Sequence, residues 1–433
     1  MLAPFLVRGF RFQWAGDLAM SWAIEMEVLI LGWYILVESG SVSLLALFGA
    51  LHYVGSLIAP LFGIAGDRIG YARLFWISRA SYALLAMILL LLAWQAALSP
   101  VAVLWIALIG GMIRPSDMVM RYAVIAMILP PQQLMGGLGI ARITSDSARI
   151  AGALAGASTV AAFGMVWALA MIVSLYCLSF LLTQQILPAG ANKELAPLKP
   201  EIAAQLRAAL TDLRSAFRYL GDKPVLLGSM WLAFLVNLLA FPFFLGLLPY
   251  VAKHQYGLGQ EGLSLLTASF AFGGLLGSIA LGFNKLPMGA ARAMLLAALL
   301  WFLVDCLFSL SRDLQSGMLL LTLAGLSSSL CLTPLAAVML RGTERAYQGR
   351  VMGMRMLAIW GLPIGLLLAG PLIERWGLEA VALVYSASGL MLTLWMCKYW
   401  RHDLWSSQAI GSLPKGTNKD CKHRACRPGS KVP

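Results

Sequence analysis

The sequence predicts an all-α membrane protein whose twelve transmembrane helices form two six-helix pseudo-repeats. Three observations carry this. Of 433 residues, 60% are hydrophobic and only 12% charged. That is too little charged surface for a soluble chain of this length, so the bilayer must solvate most of it. Apolar runs of the roughly 20 residues a helix needs to cross the hydrocarbon recur along the chain. A hydrophilic stretch over 187–223 then interrupts them half-way.

The apolar runs are twelve: 11–37, 42–66, 73–94, 101–128, 137–163, 165–186, 224–252, 262–283, 290–310, 316–340, 349–372 and 378–400. Each is expected to be helical, because in lipid every backbone polar group has to be satisfied within its own segment. An even number of spans puts both termini on one side. Placing them in the cytoplasm gathers there the 32 Lys and Arg except Lys253, Arg312, Arg375 and the intramembrane Arg114 and Arg149, as the positive-inside rule requires. The same rule accounts for the net charge of +13 without a nucleic-acid partner. Cys177, Cys306, Cys331 and Cys397 lie inside apolar runs and outline no disulfide framework. Cys421, His423 and Cys426 are too few for a closed structural zinc site. The first run is too long and too acidic for a cleavable signal peptide.

The organisation follows as residues 1–186, a six-helix half; 187–223, a cytoplasmic linker; 224–400, a second half; and 401–433, a basic and disordered tail. Within the linker, Ile202, Leu206, Leu210, Leu213 and Phe217 recur at helical spacing, as in an amphipathic helix lying on the membrane surface. The halves share landmarks. Pro115 precedes Arg121 and Pro334 precedes Arg341 at similar distances, and Met135-Gly136 and Met352-Gly353 open the following spans.

Between the second and third runs lies Gly63-Ile-Ala-Gly66-Asp67-Arg68-Ile-Gly70-Tyr-Ala-Arg73, a turn short enough to force an antiparallel hairpin. It resembles the loop signature of the major facilitator superfamily, Gly-x-x-x-Asp-Arg-x-Gly-Arg-Lys: Gly63, Asp67, Arg68 and Gly70 match, Tyr71 and Ala72 depart, and Arg73 follows one place late. Phe12-Gln-Trp14-Ala-Gly16, Arg114-Pro115, Leu129-Pro130-Pro131-Gln132 and Arg149-Ile-Ala-Gly152-Ala-Leu-Ala-Gly156 are similar to the bacterial exporter branch that includes enterobactin and macrolide exporters and a lysophospholipid translocator. The resemblance implies the major facilitator fold with parallel repeats and a conformational latch formed by Asp67, Arg68 and Arg73. It also implies a fifth-helix packing motif of which Gly152 and Gly156 remain, at the spacing that lets helices approach closely. Glu25 falls near an acidic position that the branch favours. Arg114 takes the place of a fourth-helix Arg-x-x-Gln-Gly motif tied to proton coupling, with Asp117 and Met118 replacing the Gln and Gly.

Ionisable groups at membrane depth are functional candidates, since burying each costs at least about 2.5–3.5 kcal/mol. Asp17 and Glu25 share a face of the first span with Ser21, and Glu27 lies to the other side. They are expected to form a proton or cation site; pairing of Glu27 with a neighbouring helix is the structural alternative. Arg114, Asp117 and Arg121 recur on one face of the fourth span, and Arg142, Asp146 and Arg149 on one face of the fifth. The two trios are expected to face one another as a ladder, either structural or coupling. Asp305 stands alone in the ninth span. His52 is expected to be a packing residue or a proton relay, and Pro242, Pro334 and Pro363 are expected to kink their helices.

These features lead to a secondary active transporter, expected to be a monomer in the bacterial inner membrane, exporting a hydrophobic or amphipathic small molecule of drug or siderophore type against protons by alternating access. A lipid or lysophospholipid flippase and a transport-inactive sensor or scaffold are the alternatives. Phosphate-binding loops and His-Glu-x-x-His motifs are absent, so neither enzymatic activity nor a cofactor is expected.

Overall fold

The computed structural model describes residues 3–57, 70–186, 215, 218–283, 289–344 and 347–401. A short turn over Ala3–Leu6 leads into α1, Arg8–Ser39. The first half continues with α2 (Val42–Leu51), α3 (Tyr71–Trp94), α4 (Pro100–Ile128), α5 (Pro131–Phe163) and α6 (Met165–Gln184). In the second half come α7 (Pro224–Leu239), a π-helical turn over Pro242–Gly246, α8 (Leu248–His254), α9 (Gln260–Phe283), α10 (Ala290–Leu310) and α11 (Leu314–Gly342). It closes with α12 (Gln348–Ala358), α13 (Gly361–Trp376) and α14 (Leu378–Tyr399). Among the described residues nine helices are long and apolar enough to cross a membrane, and shorter apolar helices occupy Val42–Ser56 and Pro224–Leu239. The linker over 187–214, the tail after Arg401 and the loop residues Gly63, Asp67 and Arg68 lie outside the described residues.

Helix ends follow local chemistry. Ser41 caps α2 and Ser99 caps α4 through their hydroxyls, and Pro100 opens α4 where its missing N–H costs nothing. Gly70, with φ at +90°, turns the chain into α3 in a backbone region that L side chains rarely adopt. Pro115 and Pro334 lie inside α4 and α11, which continue through them. The seventh run does break, at Pro242. The eleventh breaks at Ile359 and Trp360, one turn before Pro363, which has no N–H for the Ile359 carbonyl; that carbonyl accepts instead from the Leu362 amide at 2.9 Å.

α1 runs through the first half, packed against α4, α5 and α6, while α3 packs on α4 and α6. The halves meet along α2 with α13 and along α5 with α9. The first seam is sealed at the end where α1 turns into α2. There the Ser41 hydroxyl donates to Glu374 at 3.2 Å and the Ser43 amide at 3.3 Å. A Cβ on Gly370 would lie 2.9 Å from the Ser43 Cα, and one on Gly49 3.3 Å from the Gly246 Cα. At the opposite end Arg142 of α5 keeps a side chain 67% exposed.

Candidate functional site

Glu25, Arg114 and Arg149 each fall near the middle of their helix (α1, α4 and α5), so all three lie at mid-depth. They line a cavity of about 120 Å³ between the halves. α2 adds Phe48 and the turn after it His52 and Tyr53, and the second half supplies an apolar wall that includes Phe244, Leu248, Pro249 and Phe270. Arg149 Nε lies 3.6 Å from Glu25 Oε1, an ion pair too long for a hydrogen bond. Among the described residues no carboxylate lies within 4 Å of Arg114. His52 uses Nδ1–H on the Phe48 carbonyl at 2.8 Å, which leaves Nε2 as the acceptor of the neutral ring. Gly152 makes the site possible: a Cβ there would lie 2.9 Å from the Glu25 Cβ, and one on Gly156 3.4 Å from the Met26 Cα, so both let α5 lie directly against α1.

A second polar cluster lies two turns nearer the N-terminal end, entirely inside the first half. Arg79 of α3 binds Asp17 and Ser179 through its terminal nitrogens and donates from Nε to Asp117 at 3.2 Å. Arg121 lies 3.3 Å from Asp117 and 3.6 Å from Asp17, and donates to Ser21 and Ser145, both at 3.4 Å. Gln13 donates to the Arg121 carbonyl at 3.0 Å, and the Phe75 ring lies 4.3 Å from the Arg79 guanidinium. Two bases and two acids, all at most 9% exposed, neutralise one another, which is the arrangement that buried charge requires.

The Major Facilitator Superfamily model matches residues 18–286. The chain belongs to the Major Facilitator Superfamily. Solved structures share the superfamily fold at low identity. The nucleoside transporter NupG is 13% identical over 91% of this chain and 99% of its own, with a TM-score of 0.69. A D-xylose-proton symporter is 14% identical over 90% of this chain and 97% of its own, also at 0.69. The human organic anion transporter MFSD10 is 18% identical over 90% of this chain and 98% of its own, at 0.63. No curated protein matches the chain. The superfamily makes it an integral membrane protein and a transporter rather than an enzyme, and the fold is that of twelve transmembrane helices in two six-helix halves.

Within the superfamily fold, the candidates from the sequence separate into distinct places. Glu25, Arg114 and Arg149 meet at the inter-half cavity. Asp146 lies beside them in a neighbouring cavity of about 80 Å³, closed by Phe241, Ser329 and Thr333 of the second half, and pairs with Arg142 of its own helix at 3.0 Å. Asp17 and Asp117 do not reach the cavity; Arg79 and Arg121 hold them in the buried cluster. Glu27 accepts a hydrogen bond from Tyr176 of α6 and lines a small pocket behind α1 with His52, Tyr82 and Arg114. Asp305 is 6% exposed in α10, one turn from Trp301, and neither its oxygens nor the Trp301 N–H has a hydrogen-bond partner among the described residues. Gly70 caps α3, and Arg73 follows it, exposed.

The expected ladder between the fourth and fifth spans is therefore corrected. α1 packs against both helices, and its acids take the bases that spacing alone would pair across α4 and α5: Asp17 takes Arg121 and Glu25 takes Arg149. Arg79, Ser179 and Tyr176 are absent from the residues singled out by sequence. Arg79 carried a signal, an arginine two turns into an apolar run. It lies close enough to the hairpin to be counted with the flanking bases.

Proposed function

We propose that this superfamily member is a proton-coupled secondary transporter that moves an amphipathic small molecule by alternating access, with Glu25 as the proton-carrying group. The observation that carries the reading is the cavity between the halves, where one acid and two bases at mid-depth face an apolar wall. Glu25 is positioned to exchange its bond to Arg149 for a proton, a change that both substrate and the opposite half can sense. The sealed α2–α13 seam supplies one gate, and the exposed Arg142 end is the side on which this conformation is open. The protein is proposed to work as a monomer in the cell membrane with both termini cytoplasmic; the loop from Gly63 to Arg73 is proposed to latch the halves when that gate opens.

Inside-out and right-side-out vesicles test this with a panel of lipophilic cations, macrolides, siderophores and amphipathic anions, with and without a proton gradient. Gradient-dependent accumulation that is lost in Glu25→Gln is the expected result. Export, the direction implied by the exporter resemblance, requires it in inside-out vesicles with an acidified lumen. Accumulation indifferent both to the gradient and to Glu25→Gln would overturn the coupling role.

A further inference from the structure

The two polar clusters treat their arginines differently. In the buried cluster each guanidinium is met by two carboxylates: Arg79 binds Asp17, Asp117 and Ser179, and Arg121 faces Asp17, Asp117 and two hydroxyls, with only its Nε lacking a hydrogen bond among the described residues. At the cavity the donors are spare. Among the described residues Arg149 has only the long contact to Glu25, and Arg114 has no carboxylate within 4 Å. Spare guanidinium donors on a partly desolvated wall are an incomplete site, because a guanidinium reaches its full worth only against an anionic acceptor. The approach to the cavity repeats the pattern. Arg355 of α12 lies close enough to Arg142 for their charges to repel, and Asp146 is the acid beside them.

From this we infer that the cargo is an amphipathic organic anion, whose carboxylate or phosphate head bridges Arg114 and Arg149 while its apolar body lies against Phe48, Phe244, Leu248 and Phe270. The inference rests on the transport reading above and names the substrate class of the same site. Glu25 is then an internal counterion that the cargo replaces. The charged and titratable groups around it are Arg149 from α5, Arg114 from α4, and His52 and Tyr53 from the turn after α2. The second half presents only Thr267 and apolar side chains at this cavity. Glu27, two residues further along α1 and so on its other side, is engaged by Tyr176 and lines the pocket behind with Arg114. When Glu25 takes a proton it lets go of Arg149, so proton binding and anion binding strengthen each other, by reciprocal linkage.

The full-length protein in nanodiscs of neutral lipid tests this by calorimetry. The probes are 2-naphthoate, the isosteric 2-naphthamide and 2-naphthylmethylammonium, octyl phosphate, and palmitoyl lysophosphatidate. At least one anion is expected to bind about tenfold or more tightly than the amide, and Arg114→Gln and Arg149→Gln each to weaken it about tenfold, the worth of a hydrogen bond to a charged group. Wild type should bind the anion more tightly as the pH is lowered, by the linkage above, and Glu25→Gln should bind it equally tightly at every pH at which the protein stays folded. That last readout would not move if Glu25 were merely structural. Equal binding of amide and anion, preference for the ammonium, no binding of any anion, or a pH dependence that survives Glu25→Gln would each overturn the inference. Competition between lysophosphatidate and naphthoate assigns the site to a lipid head group, and naphthoate alone to a free organic anion. Anion binding with these signatures but no gradient-driven uptake into proteoliposomes removes the transport reading and leaves the site. Uptake of the ammonium alone does the reverse.

Discussion

Arg79 on α3 pairs directly with Asp17 on α1, their side chains only 1% and 4% exposed, and through Asp117 it ties both to α4. With its bond to Ser179 of α6, one guanidinium thus joins four helices of the first half. Arg79→Met leaves two acids facing Arg121 alone. Breaking a buried pair in this way costs about 3–5 kcal/mol. A clear fall in the thermal midpoint, followed by fluorescence-detected size exclusion in detergent, is expected. The double variant Arg79→Met with Asp117→Asn, which restores one acid to one base, should recover part of the loss, since neighbouring sites couple.

Gly152 and Gly139 lie on the same helix in opposite circumstances. A Cβ at 152 would strike the Glu25 Cβ and come within 3.1 Å of the Trp22 carbonyl, whereas at 139 nothing lies within 4 Å. Gly152→Ala is expected to destabilise by about 1–3 kcal/mol through overpacking. Gly139→Ala should be neutral or stabilising by up to about 1 kcal/mol, because alanine restricts the unfolded chain and favours the helix. Unfolding midpoints of the two variants, measured side by side, check the contrast.

The seal between α2 and α13 leaves no room for a side chain on Gly370. A Cβ there would lie 2.9 Å from the Ser43 Cα and 3.2 Å from the Ala46 Cβ. Gly370→Ala is therefore expected to part this seam through overpacking, read as faster thiol labelling of a cysteine introduced at position 43. Labelling no faster than in the Gly370 protein would show that the seam is not packed this tightly. Glu374→Ala, which removes the acceptor of the Ser41 and Ser43 donors, is expected to shift the resting population toward opening there, read as faster labelling of a cysteine at position 43.

Beyond the membrane, Lys223 donates to Glu344 at 2.9 Å and to the Tyr219 hydroxyl at 2.6 Å, joining the start of α7 to the end of α11. The Tyr219 hydroxyl beside it is the main cause that raises Lys223 above the ordinary lysine range, and the Lys223 bond holds Glu344 below the ordinary carboxylate range. A depressed carboxylate contributes stability above its unfolded value and loses it as pH falls through the folded one. The raised lysine contributes below its unfolded value and loses it as pH rises through the folded one. The clip is therefore complete across neutral pH and fails first in acid. Glu344→Gln should flatten the acid limb of thermal stability against pH and leave the neutral region nearly unchanged, as suits an exposed pair.

Composition, run length and one hairpin signature made the architecture legible, because a bilayer leaves a chain few alternatives. Helix breaks were partly legible. Pro242 and Pro363 mark real interruptions, but Pro115 and Pro334 are accommodated inside continuous helices. Partners within the bundle were not. Spacing places Asp117 and Asp146 on faces of their helices and says nothing of which helix those faces meet, so the passage of α1 beside both was invisible. Arg79 was hidden for a related reason. At a helix end a base reads as a flank, and only the three-dimensional contact with Asp17 makes it central.

The Glu25–Arg149 pair has an electrical consequence. An empty cavity carries two guanidiniums and one carboxylate; a loaded one carries two guanidiniums, a neutral acid and one monoanion. The sum is the same in both. Membrane voltage, worth about 2.3 kcal/mol per elementary charge per 100 mV, then does no work on the cargo step, and the difference in acidity across the membrane together with the anion's own concentrations drives it alone. Proton and anion travel the same way, the reverse of the exchange that exporter resemblance implies, and a cell could depolarise its membrane without slowing the protein.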